Sequence, residues 1–461
     1  MRKSLLEQLS LTPAPIAHVH AQELMAVGVL LDRLPAAVAL VQDDLSIRHG
    51  RRVDPAKGRD GMAAEQVLRV AILKQRTGLS YERLAFALAD SNTYRRFCRL
   101  GYEQKPPTKS ALQKNVKRVS VATWEKINQM VVHQARDLGV EKGTKVRTDC
   151  LVVESNIHPP TDSSLLWDCV RVLCRLMKRA KRAFGLHFVN HRLRAKRRAL
   201  EISNATSKEQ RKPLYRDLLA VAEHTLEQAQ QIAKQLGEQN THDMHAMLVS
   251  QGLIAEIEHW LPLANQVVSQ TERRVMRDEA VPATEKIVSI FEPHTNIIVK
   301  DNRKDNHDTE YGHKVCLTAG ASTLVTDVVV EQGNPADCVL ATKMIERQQR
   351  IFGQPPRQAS FDGGFAGKSN LMQIKALGVT DVVFHKRRGL EIAEMASSTR
   401  VYKKLRGFRA GIEGIISFLK RGFGLERCTW RSFDSFKAYV QVSVLACNLL
   451  VIARRLLPAA G

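Results

Sequence analysis

Residues 358–365 read Gln-Ala-Ser-Phe-Asp-Gly-Gly-Phe, and this stretch decides how the second half of the chain folds. Four strand-forming residues lead to Asp362, and two glycines separate that acid from a helical pattern over 368–377. A second strand pattern follows at 381–385. Alternating strands and helices predict an α/β sheet, and such sheets bind ligands at the carboxyl ends of their strands, where Asp362 stands. A plain turn is the competing interpretation, because Asp-Gly favours turns.

Further strand and helix patterns extend this unit on both sides. Strands are predicted at 145–153, 287–291, 297–300, 313–319 and 324–330, and helices at 335–352, 408–421 and 433–456. After the first of these strands the pattern is helical and poor in glycine for more than one hundred residues. We therefore predict a mixed-sheet core over 141–162 and 275–461, interrupted by a long, coiled-coil-like helical insertion over 163–274.

The part of the chain before the sheet is predicted to be helical. Residues 61–140 show helical periodicity, and a capping box at Ser110 predicts a short last helix. That helix carries Lys114 and Lys117 and is followed by Arg118. Three short helices with a basic last one fit a helix-turn-helix DNA reader, and a helical bundle with a solvated basic face is the alternative. Because a helix-turn-helix module folds around its own small core, a fragment of about residues 1–140 is expected to fold on its own.

The charge of the chain points to a polyanionic partner. The 461 residues include 70 Lys and Arg but 47 Asp and Glu, a formal net charge of +23. Nucleic acid is the first candidate and an anionic membrane surface the second. Hydrophobic residues make up 44%, which excludes wholesale disorder, and aromatic residues only 5%, which argues against a stacking platform for single-stranded RNA.

Two basic runs are open to more than one interpretation. Residues 1–60 are predicted as an N-terminal segment ending in a basic run at 48–59, which fits a solvated linker and a DNA-contacting arm equally well. Residues 171–198 hold eleven Lys and Arg and no acid. They form either a solvated helix face or a track for a DNA backbone, and the net charge of the chain favours the track.

Cysteine usage and hydropathy suggest a compartment. The eight cysteines include no Cys-x-x-Cys pair, so neither a zinc ribbon nor a redox dithiol is indicated, and they fit a reducing cytosol. The most apolar late stretch, 440–453, is short and contains polar residues, which predicts a buried helix rather than a membrane span. We expect a cytoplasmic protein associated with nucleic acid and no membrane partner.

Two further acids are candidates for chemistry. Asp149 lies inside a good strand pattern, where Asp is uncommon, although an edge position or a pair with a neighbouring Arg would also explain it. Glu413 shares the polar side of a helix with Arg409 and Lys420, and an exposed Arg–Glu pair is the competing explanation. Without the helical insertion, the distance along the chain from Asp149 to Asp362 suits a hairpin and a crossover.

Together the three acids indicate a metal site. Asp149, Asp362 and Glu413 on two neighbouring strands and a nearby helix can hold two Mg²⁺ ions about 4 Å apart, with Mn²⁺ as a possible substitute. The cations of that helix would hold DNA phosphates beside the metals. This arrangement suits in-line attack on a phosphodiester.

The motifs resemble those of a known family, the DDE transposases of bacterial insertion sequences, and are most similar to the group labelled ISNCY. Arg409, Glu413 and Lys420 match the R-E-K part of the family signature, although Arg406 stands where the family often has Tyr. The Asp362-Gly-Gly-Phe segment resembles the second-Asp motif. Other similar stretches are 147–149 with 156–163, 311–314, 333–337 and 79–97.

The resemblance implies an RNase H-like core and a Mg²⁺-dependent transposase. It would bind terminal inverted repeats and target DNA, and cut and join strands as a homodimer or larger synaptic assembly. Asp149, Asp362 and Glu413 would bind metal, and Arg409 and Lys420 would contact phosphates. Two rivals stay open: an RNase H-like nuclease that does not join strands, and a catalytically inactive DNA-binding regulator.

Overall fold

The computed structural model describes residues 16–48, 50–52, 54, 61–101, 103–239, 243–299 and 309–457. The chain is 63% helical with one large mixed sheet, which confirms the predicted α/β class. Most of the basic run at 48–59 lies outside the described residues.

Seven helices precede the large sheet in the described part of the chain. They are α1 (Val19–Asp32), α2 (Pro35–Leu45), α3 (Ala64–Thr77), α4 (Tyr81–Asp90), α5 (Asn92–Phe97), α6 (Lys109–Val116) and α7 (Val121–Asp137), with a small hairpin of β1 (Ile47–Arg48) and β2 (Arg51–Arg52) after α2. The predicted cap of the basic helix was wrong by two residues. Thr108, not Ser110, is the N-cap and accepts a hydrogen bond from the Ala111 amide, because the chain becomes helical directly after the two prolines.

The large sheet contains six strands: β3 (Lys145–Glu154), β4 (Asn296–Val299), β5 (Thr309–Gly320), β6 (Val325–Val330), β7 (Gln358–Phe361) and β8 (Asp381–Phe384). Its order is β6-β5-β3-β7-β8, and β4 pairs with the start of β5 on the same edge as β6. The β3–β5 and β5–β6 pairs are antiparallel, whereas β3–β7 and β7–β8 are parallel. This order makes β3 the central strand.

Four helices between β3 and β4 surround a hydrophobic cluster of their own. They are α8 (Asp162–Phe184), α9 (Arg192–Asn204), α10 (Lys208–Glu238) and α11 (Met244–Thr271). The strand predicted at 287–291 was wrong, because the amide and carbonyl of Ile287 bond to the side chain of Gln270 instead of a strand partner. Ile287 and Ile290 are buried in the cluster of the insertion.

The remaining helices are α12 (Ala341–Phe352), α13 (Lys368–Ala376), α14 (Ile392–Met395), α15 (Thr399–Phe423) and α16 (Phe433–Leu456). Helix α16 has the length and hydropathy of a membrane span, but 89% of its most apolar window is buried inside the protein. Its buried polar side chains serve the core: the Asn448 amide bonds to the N–H and the carbonyl of Val325 on edge strand β6. This helix is therefore the central core helix, as the sequence predicts.

The N-terminal helices do not enclose a core of their own. Residues of α1, α3 and α7 belong to one continuous hydrophobic cluster with α16 and one face of the sheet. The buried Asn128 of α7 donates to the backbone carbonyl and the side chain of Gln441 on α16. The expectation that this region folds as an isolated fragment is therefore not supported, since cutting the chain after α7 would expose a shared apolar surface.

Candidate active site

The central strand and its parallel neighbour place two of the predicted acids side by side. In the β3–β7 register, Thr148 is paired with Phe361. Asp149 on β3 and Asp362, directly after β7, are the next residues along the chain, so they occupy the same level and the same side of the sheet. Phe361 and Phe365 are fully buried on either side of Asp362, and their rings lie 5.6 Å apart. These aromatic residues anchor the turn that presents Asp362.

Helix α15 brings the third acid to this point by a close approach to β3. Arg147 donates to the Phe408 carbonyl at 2.8 Å, and its guanidinium lies over the Phe408 ring. A Cβ atom at Gly411 would lie 2.2 Å from Nη1 of Arg147. Gly411 therefore permits the approach that sets Arg409 and Glu413 over the strand ends.

The three acids converge on one guanidinium, that of Arg409. Its Nη2 lies 2.9 Å from Oδ2 of Asp149 and 3.1 Å from Oδ1 of Asp362, and its Nη1 lies 3.1 Å from Oε1 of Glu413. The sequence predicts that Arg409 contacts DNA phosphates, but its side chain is only 11% exposed. In this structure Arg409 is the counter-ion of the acids.

The acids differ in their access to solvent. The side chain of Asp149 is 13% exposed, that of Asp362 is 37% exposed and that of Glu413 is 69% exposed. Burial raises the pKa of Asp149 to about 6, although Arg409 and a hydrogen bond from the Cys150 amide favour the charged form. The site therefore has one deep carboxylate and two that face outward.

A fourth acid and two lysines adjoin the cluster. Asp337 accepts a 3.0 Å hydrogen bond from Nζ of Lys314. A Cβ at Gly364 would lie 2.7 Å from Oδ2 of Asp337, and one at Gly363 would lie 2.8 Å from Cβ of Lys386. Sequence reasoning assigned no role to Lys386, and the Gly-Gly pair was the signal that something packs closely there.

Two other acids near the motifs lie in separate contacts. Glu154 pairs with Arg427 at 3.3 Å, and Asp162 pairs with Arg274 at 2.9 Å. Asp162 is the first residue of α8, directly after the N-cap Thr161.

The donor set of the cluster suits a hard divalent cation. Carboxylate oxygens are the ligands that Mg²⁺ prefers, and two of the three acids are open to water. Within the described ranges, no three acidic, histidine or cysteine side chains are arranged to hold one metal ion together. Here the positive charge among the acids is the guanidinium of Arg409, so cation binding requires Arg409 to move.

The predicted DNA contacts of the N-terminal region differ in availability. Lys114 and Lys117 are exposed on and just after α6. Arg118 instead donates to the carbonyls of Leu45 and Ile47, at 2.5 and 2.8 Å, so it joins α6 to the end of α2.

Lys420 lines a groove between α15 and the N-terminal helices. One cavity is lined by Lys420, Arg427 and Lys74, and the next by Lys74, Lys117 and Arg431, so the two are continuous. We call these five residues the basic groove. Glu154 pairs with Arg427, but among the residues that the structure describes, the other four cations have no ion-pair partner.

Two family models match the chain. One, described as a transposase DDE domain, matches residues 291–449, and the other, described as a transposase domain (DUF772), matches residues 30–118. The chain is a DDE transposase of the insertion-sequence type. No curated protein and no solved structure matches the chain.

The transposase models cover most of the predicted site. The DDE match includes Asp362, Arg409, Glu413 and Lys420, and it ties the mixed sheet to an RNase H-like domain. Asp149 lies before the matched residues, on β3, which pairs with β7. The protein is thus an enzyme that acts on DNA by strand cleavage and strand transfer, in a family that uses divalent metal ions. The ISNCY-like subgroup stays a prediction.

Proposed function

We propose that this transposase binds the terminal inverted repeats of its element and cuts and joins DNA strands with two Mg²⁺ ions held by Asp149, Asp362 and Glu413. The observation that carries the proposal is the convergence of these three carboxylates on the single guanidinium of Arg409. Three acids gathered around one cation form a site whose charge suits divalent ions once that guanidinium leaves.

Ions held by these acids would activate the attacking oxygen and stabilise the leaving oxygen during in-line displacement at phosphorus. In cleavage, a water oxygen bonds to phosphorus as the bond from phosphorus to the 3′ oxygen breaks; in joining, a 3′-hydroxyl replaces the water. The three acids have different positions in the site. Buried Asp149 anchors the site, while Asp362 and Glu413 face the solvent from which DNA arrives.

We assign Arg409 two positions in this cycle. Without metal it neutralises the acids, and one of its atoms, Nε, is buried without a hydrogen-bond partner in the described part of the chain. When cations replace it, the guanidinium can reach a DNA phosphate, which is the contact that the sequence predicts. Because the guanidinium leaves as the ions bind, Arg409 and the two Mg²⁺ ions do not have to share the site before DNA is present.

The basic groove offers a path for the DNA end. It begins at Lys117, beside the exposed Lys114 of α6, and reaches Lys420, seven residues after Glu413 on α15. A duplex lying there would meet the N-terminal helices and the acids at once. Base-edge contacts from α6 would give end recognition, and phosphate contacts along the groove would set the position of the cut.

Cleavage of the element's own ends by the full-length protein tests this function. With Mg²⁺, wild type should release the end, whereas Asp149→Asn, Asp362→Asn and Glu413→Gln should bind the same duplex without cutting it. Glu346→Gln, which changes an exposed acid of α12, is the matched control and should cut normally. Normal cutting by Asp362→Asn would refute the assignment.

Two further measurements separate the rivals and the metal. A pre-cleaved end with a free 3′-hydroxyl should be joined to target DNA, and failure to join with efficient cutting would favour a nuclease. Mg²⁺ binding, measured by calorimetry without DNA, should disappear in the Asp362→Asn variant. Because two ends must be held together for transposition, we also propose a homodimer or larger assembly on DNA, which sedimentation with end duplexes would detect.

A further inference from the structure

The helical insertion carries a cationic face that the proposed site does not use. Helices α8 and α9 hold the eleven Lys and Arg of residues 171–198, in a stretch without acids. The apolar side of α8 is buried in the cluster of the insertion, so its charged side faces solvent.

Ion pairs divide these cations into two groups. Five have acidic partners within the insertion: Arg171 with Asp168, Arg179 with Glu256, Arg194 with Asp217, and Arg197 and Arg198 with Glu201. Six are exposed and have no ion-pair partner among the residues that the structure describes: Arg175, Lys178, Lys181, Arg182, Arg192 and Lys196.

Three of the unpaired cations form a stripe on α8. Arg175, Lys178 and Arg182 lie at positions i, i+3 and i+7 of one helix, so they share a face. At 1.5 Å per residue they extend over about 10 Å of the helix axis. Lys181, three residues after Lys178, adds a fourth exposed cation in the last turn of α8.

Ordinary helix electrostatics explains only part of this pattern. Cations near a helix C-terminus are favourable, which accounts for Lys181 and Arg182 in the last turn of α8. Arg175 and Lys178 lie further back, and like charges three or four residues apart destabilise a helix. Acids within the insertion pair with five of the other cations but with none of the stripe, so the stripe lacks a counter-ion that a polyanion would supply.

We propose that this face of α8, formed by Arg175, Lys178, Lys181 and Arg182, binds the phosphate backbone of double-stranded DNA beyond the segment held in the basic groove. It would hold DNA of any sequence, since the stripe consists of phosphate-binding cations. This inference rests on the proposed function only in taking duplex DNA as the substrate. It assigns the insertion a role in holding DNA, separate from cutting.

Salt-dependent binding by the full-length protein tests the proposal. The test variant carries Arg175→Gln, Lys178→Gln and Arg182→Gln. The matched control carries Arg179→Gln, Arg194→Gln and Arg198→Gln, which removes the same charge from the paired group. Each lost phosphate contact lowers the slope of log affinity against log salt by about 0.9, so the test variant should lose up to about 2.7.

The expected loss has two further properties. It should be equal for the element's end and for a scrambled duplex of the same length, and it should shrink when the duplex is shortened. A slope change in the test variant no larger than in the control would overturn the proposal. So would a test variant that binds DNA normally but no longer self-associates, or no longer binds vesicles of anionic phospholipid, because the stripe would then serve a second copy or a membrane.

Failure of this inference is distinguishable from failure of the proposed function. Asp362→Asn should abolish cutting and leave the salt slope unchanged, whereas the α8 variant should lower the slope and still cut a short end duplex at saturating concentration. All three substituted side chains of the test variant are exposed, so circular dichroism should show an unchanged fold.

Discussion

Asp149 should make the folded transposase less stable than it would be with a neutral side chain at the same position. Burial raises its pKa from the ordinary 3.8 to about 6. The folded protein therefore binds the proton of the Asp149 carboxyl group more tightly than the unfolded chain does. Stability falls as the pH rises from about 4 to about 6 and stays at the lower level above that range.

The size of the effect follows from the pKa difference. One unit of pKa corresponds to about 1.4 kcal/mol, so the ionised carboxylate lowers the free energy of unfolding by about 3 kcal/mol at pH 8. At pH 5 the carboxyl is mostly protonated in the folded state, and the penalty is about half as large. Asp149→Asn keeps the size of the side chain and an oxygen that can accept from the Cys150 amide.

Urea unfolding at pH 8 and pH 5 with a metal chelator measures this difference. The Asp149→Asn variant should be more stable than wild type by about 3 kcal/mol at pH 8 and by about half of that at pH 5. Asp362→Asn is the control, because solvent screens the charge of its 37% exposed side chain and little stability should be gained. Equal stabilities of wild type and Asp149→Asn at both pH values, or a gain that does not change with pH, would refute the reasoning.

Three other predictions follow from the contacts around the site and the core. Arg409→Ala should lower the stability of the metal-free protein, because three acids lose their shared counter-ion. Mg²⁺ should then raise the melting temperature of the variant by more than that of wild type. Equal increases would contradict the exchange of Arg409 for metal ions. Gly411→Ala should destabilise the protein by displacing Arg147, whereas Gly414→Ala on the same helix, with open space around its Cβ, should stabilise it by about 0.5–1 kcal/mol in thermal unfolding. Asn448→Leu should lower the free energy of unfolding in urea by about 1–3 kcal/mol, because it removes hydrogen bonds from edge strand β6. Ser443→Ala removes a buried hydroxyl that has no partner in the described residues and should leave that free energy unchanged. Equal losses in the two variants would show that side-chain volume alone matters.

Local sequence patterns predict much of the fold. Residues 145–153 and 358–361 have the composition of strands, and the structure has strands at Lys145–Glu154 and Gln358–Phe361. The late apolar stretch contains Gln441 and Asn448, which argue for a buried helix, and these side chains bond to the core backbone. Local patterns fail at 287–291, where the side chain of Gln270 on the preceding helix α11 bonds to the backbone of Ile287 in place of a strand partner.

The sequence by itself determined the α/β class, the position of the helical insertion in chain order and the three acids as candidates, because strand and helix periods and motif spacings are local properties. Only the tertiary structure decided that Arg409 lies among those acids, that Lys420 shares a groove with Lys74, and that the N-terminal helices share their core with α16. Each of these depends on contacts between residues hundreds of positions apart. Such contacts are set by strand register and helix packing, and neither is encoded in any single segment.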